Sequence, residues 1–105
     1  MQSPIEKILR LGRLPSSDDA TVEILQPYET SLQEVRTPIS DEEAIALLRI
    51  FGPDDCFGLS WALITLIETA PGWRAKGEAA LEGIEGEWFN LLRERLQAGR
   101  RLGGA

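Results

Sequence analysis

The sequence predicts an all-α or mainly α domain of four or five helices packed around a central helix at residues 54–69. Three observations carry this reading. Apolar residues recur at helical spacing in several separate stretches. Capping residues and Gly or Pro stops bound those stretches. The most clearly bounded segment, GPDDCFGLSWALITLIETAPG from Gly52 to Gly72, has a broad apolar face and one polar stripe.

Ser3-Pro4-Ile5-Glu6 reads as a helix start. Serine can cap, proline suits the first helical position, and Glu6 completes a capping box. Ile5, Ile8 and Leu9 supply an apolar edge, and Gly12 with Pro15 ends the element. PSSDD, residues 15–19, is a turn or linker. Residues 20–37 carry mixed signals. Leu25, Tyr28, Leu32 and Val35 fit helical spacing, whereas Thr21-Val22-Glu23-Ile24 alternates like a strand and Pro27 interrupts a single helix. The expected arrangement is an extended piece at 21–25 followed by a helix over 28–36. A short strand pair within 20–37 competes with it.

Ser40 caps the next helix. Glu43 stands at the capping-box position, and Asp41, Glu42 and Glu43 complement the positive end of the helix dipole. Ala44, Leu47, Leu48 and Phe51 make one face before Gly52-Pro53 stops it. Asp54 is the candidate cap of the central helix, whose apolar face holds Cys56, Leu59, Leu63, Leu66 and Ile67. The glycines Gly72, Gly77, Gly83 and Gly86 read as a flexible connection. They fit no phosphate-binding pattern. A last helix over 84–98 carries Ile84, Trp88, Leu91, Leu92 and Leu96, with Gly99 as its stop. Residues 1–98 then form one domain, and 99–105 a flexible tail.

Composition narrows the function classes. The 105 residues carry a net charge of −6 and no histidine. From Asp18 to Glu87 there are 15 acidic and 4 basic residues, while the flanks hold 2 acidic and 7 basic ones. An acidic middle repels phosphate backbones, so no direct nucleic-acid binding is expected, and the same field favours a basic protein partner. No apolar run is long enough to span a bilayer, and the N-terminus lacks signal-peptide order, so a cytoplasmic protein without membrane attachment is expected, and the bias toward Leu, Ala, Gly, Glu and Arg points to a bacterial one. The single cysteine, Cys56, excludes an internal disulfide and a cysteine-based zinc site. The absence of histidine removes the commonest general base. The adjacent carboxylates Asp18-Asp19, Asp41-Glu42-Glu43 and Asp54-Asp55 supply neither the separation nor the cleft that acid–base chemistry needs. No enzyme activity, cofactor or metal is expected.

One residue breaks the pattern of the central helix. Trp61 falls in the polar stripe with Asp54, Gly58, Thr65, Glu68 and Thr69. Either another segment covers it as core, or Trp61, Gly58 and Thr65 form a notch rimmed by Asp54, Asp55 and Glu68. An aromatic anchor with a charged rim is the usual make-up of a protein–protein hot spot.

GPDDCFGLSWALITLIETAPGW, followed by EWFNLLRER, resembles the core of small bacterial proteins that have no assigned activity. In these, a Gly-Leu-x-Trp helix precedes Glu-x-Ala-Pro-Gly-Trp and a late Trp-bearing helix. The resemblance covers the C-terminal half and implies no catalytic residue. Small acidic proteins of this size include immunity proteins that block a toxin. By that analogy the expected function is non-enzymatic protein binding of the immunity or inhibitor type. A homodimeric or accessory subunit that buries Trp61 is the alternative, and a carboxylate-dependent enzyme a further one.

Overall fold

The computed structural model describes residues 1–102, with side chains as far as residue 99. Every described element is a helix: α1 (Ser3–Leu11), α2 (Val22–Glu34), α3 (Asp41–Leu47), α4 (Leu59–Glu68), α5 (Trp73–Leu81) and α6 (Glu87–Leu102). The mainly helical expectation holds, with six helices among the described residues rather than four or five.

The anticipated extended piece at 21–25 and strand pair within 20–37 are instead the first turns of α2. Thr21 caps the helix, its hydroxyl oxygen accepting the Ile24 N–H at 3.2 Å. The alternating Val22 and Ile24 point to solvent, while Leu25 and Tyr28 one turn further on are buried. Pro27 is tolerated inside the helix. It lies on the exposed side, where the carbonyl that loses its partner can meet water. Tyr28 then donates its hydroxyl proton to the Gly12 carbonyl at 2.7 Å, tying α2 to the end of α1.

Two further expectations change. Of the glycines read as a connection, Gly77 lies inside helix α5 as a packing position and Gly72 caps it, while Gly83 and Gly86 stand in the turn before α6. A Cβ at Gly77 would lie 2.8 Å from Leu96 Cδ1 and 3.0 Å from Trp73 Cε2, so glycine lets α5 and α6 close on each other without displacing the tip of Leu96. Gly99 does not end α6, which continues to Leu102; the rest of the expected tail, 103–105, lies outside the described residues.

One hydrophobic cluster draws on all six helices, including Ile5 and Ile8, Leu25, Leu47, Leu63 and Ile67, Leu81, and Leu92. α3 is the junction, packing against α1, α4 and α5. Its capping box forms as expected between Ser40 and Glu43. At α1, by contrast, Gln2 takes the N-cap position without a side-chain cap: its amide exchanges two bonds with the Arg36 backbone instead, and Glu43 accepts its N–H. Among the described residues no helix is long and apolar enough to cross a membrane.

Candidate protein-binding groove

The central helix begins at Leu59, not at Asp54. Residues 56–58 all take left-handed backbone angles, with φ of 47° at Cys56, 56° at Phe57 and 89° at Gly58, and no α-helix can start before them. Asp54 is therefore not a helix cap. Its carboxylate accepts the Ser17 N–H at 2.9 Å, the Ser17 hydroxyl at 3.0 Å and the Cys56 N–H at 2.9 Å, pinning this loop to the turn after α1. The bonds from Ser17 hold its pKa below the ordinary carboxylate value, with the Cys56 N–H adding to them against a smaller effect of desolvation. Asp55 and Gly58 remain exposed on the same loop. Cys56 is fully buried. Burial pushes its thiol pKa up, and the charges of Asp54 and Asp55 push it the same way.

Trp61, Thr65 and Glu68 share the solvent-facing stripe of α4. Trp61 is 46% exposed, so neither the N-terminal helix nor the Trp73 segment covers it. Its ring lies perpendicular to that of Trp88 of α6, centroids 5.5 Å apart at 90°. Trp88 in turn stacks on Phe51 at 6.1 Å, and Phe89 meets the edge of Phe51 at 5.9 Å. The chain of rings anchors a surface tryptophan to the core. Thr65 returns its hydroxyl to the Trp61 carbonyl at 3.1 Å. Glu68 is gripped by Arg95, whose Nε and Nη2 donate at 2.8 and 2.7 Å.

The two bridges share one register. Trp61 to Glu68 and Trp88 to Arg95 both advance by seven residues, so α4 and α6 run parallel over about 10 Å of helix. Their backbones make few close approaches, and long side chains span the gap. Beside the aromatic end opens a groove of about 910 Å³, lined by Trp61, Glu85, Gly86, Glu87, Trp88, Asn90, Leu91 and Glu94. Arg93 donates to the Leu81 and Ile84 carbonyls and so fixes the turn that carries Glu85.

The lining holds three glutamates and no basic residue. Among the described residues, no hydrogen bond or ion pair engages the carboxylates of Glu85, Glu87 or Glu94. No family model, curated protein or solved structure matches the chain. The chemistry of the groove is therefore the guide to function.

Of the six residues singled out in the sequence, only Trp61 lines this groove. Asp54 is turned inward to Ser17, and Glu68 is engaged at the far bridge. The rim carboxylates escape sequence reasoning, because they lie on α6 and its leading turn, which sequence spacing alone does not bring beside α4. The local signal was present in GIEGEW, where two acidic residues closely precede an aromatic. Among the described residues no cluster of three or more acidic or thiol groups is arranged to hold a metal ion.

Proposed function

We propose that this chain is a non-enzymatic binding protein of the immunity or inhibitor type, acting in the cytoplasm on a basic protein partner. The observation that carries the reading is Trp61, a half-exposed indole held perpendicular to Trp88, beside a groove rimmed by three glutamates that have no partner among the described residues. A rigid aromatic at the centre and a charged rim are the parts of a binding hot spot. The rim and the net charge of −6 steer a basic partner toward it. Catalytic readings have less support: Cys56 is buried with a raised thiol pKa, and the bonded carboxylates brace loops and helix ends.

The test is capture of partners from host lysate by tagged wild-type protein and by Trp61→Ala, followed by titration of the captured protein in purified form. A basic partner that binds Trp61→Ala about 30-fold more weakly, a loss of about 2 kcal/mol, supports the reading, provided circular dichroism shows the variant folded. A partner held equally by both proteins overturns it. A wild-type dimer in light scattering that Trp61→Ala converts to monomer replaces it with the homodimer alternative.

A further inference from the structure

We propose that the α4–α6 groove is an arginine-recognition site, receiving a guanidinium from a basic segment of the partner between the Trp61 ring and the carboxylates of Glu87 and Glu94. This rests on the protein-binding reading and adds the chemistry of the residue read. Glu87, Asn90 and Glu94 stand at i, i+3 and i+7 on α6, along one stripe that lines the groove with Trp61. A cation entering there meets an indole on one side and carboxylates on the other.

Arginine fits this combination better than lysine. Its planar group stacks on an aromatic face and forks onto a carboxylate, whereas an ammonium is a compact, strongly hydrated point charge. Asn90 is set for a neutral role, its Oδ1 already accepting Arg93 Nη1 at 2.7 Å. Trp88 forms the buried side of this site. It lines the same groove and is 8% exposed, and its buried Nε1–H has no acceptor among the described residues.

Two hexapeptides of alternating glycine and either arginine or lysine, titrated calorimetrically into the full chain at low salt, test the assignment. The arginine peptide should bind at least fivefold more tightly. Trp61→Ala should erase that preference, and Glu87→Gln with Glu94→Gln should weaken both peptides about tenfold. Glu23→Gln with Glu34→Gln, on the rim of a different groove between α1 and α2, should change neither. Equal binding of the two peptides, no binding of either, or equal losses in the α2 and α6 variants overturns the assignment. If the protein partner is still lost on Trp61→Ala in those cases, the broader binding reading stands without the arginine site. A partner retained by Trp61→Ala removes both.

Discussion

Glu43 holds the backbone of Gln2, forty-one residues away in sequence, through a single carboxylate oxygen: the Gln2 N–H donates to Oε2 at 2.8 Å. The other oxygen, Oε1, accepts the Ser40 N–H at 2.9 Å. One buried side chain thus satisfies donors at the starts of two helices, α1 and α3, and locks them together.

That arrangement sets an acid limit on stability. Burial alone would raise the Glu43 pKa, but the N–H bonds from Ser40 and Gln2 more than offset it and hold the value below normal. A carboxyl with a depressed folded pKa stabilises the fold above its unfolded value of about 4.3, and the contribution disappears as pH falls through the lower folded value. Glu43→Gln should therefore cost about 1–2 kcal/mol at pH 7. The gap to wild type should narrow below about pH 4 as the native carboxyl protonates. Urea unfolding of both proteins at pH 7 and pH 3.5 measures it, and a gap independent of pH would contradict the role given to the charge.

Gly52 is predicted to be the least replaceable glycine. A Cβ there would stand 2.3 Å from the Leu14 carbonyl oxygen, beside the Leu14 N–H to Ile50 carbonyl bond of 2.8 Å. Backbone cannot swing away as a side chain can. Gly52→Ala should lose about 2–3 kcal/mol. Gly77→Ala should lose less, because its clash is with the tip of Leu96 and alanine favours the helix by roughly 1 kcal/mol. Thermal melts of the two variants give the order.

Phe57 should be a stabilising site. It has φ of 56° and is 68% exposed, so its side chain gains little burial while its backbone carries left-handed strain. Phe57→Gly removes strain of about 1–2 kcal/mol against a smaller gain in unfolded-state freedom. The expected outcome is an unfolding midpoint equal to or above wild type. A clear drop would show that the Phe57 ring packs more than its exposure indicates.

Cys56 should be inert until the protein opens. It is fully buried, with its thiol pKa raised by desolvation and by the neighbouring aspartates. A chromogenic thiol reagent at pH 8 should show no fast reaction with the native protein and one equivalent in denaturant. Asp54→Ala, which releases Ser17 and the Cys56 N–H from the loop, should speed the native reaction.

Much of the helical plan was legible locally. Ser40-x-x-Glu43 forms its capping box as read, and Leu59, Leu63 and Ile67 face the core at the expected spacing. The misread segments are those where local signals conflict with packing. Thr21 to Ile24 alternates as a strand would, yet the cap at Thr21 and the burial of Leu25 and Tyr28 make it a helix. Gly77 is a helix weakener by propensity, but its missing side chain is what α6 packs against.

The sequence by itself determined the helical class, the acidic charge and the anomaly of a tryptophan in a polar stripe, because periodicity, composition and capping are local properties. Only the tertiary structure decided what surrounds Trp61. The parallel register of α4 and α6 sets Trp88 perpendicular to it and brings the glutamates of α6 and its leading turn beside it. A groove between two helices is a property of how they pack, and neither helix encodes it alone.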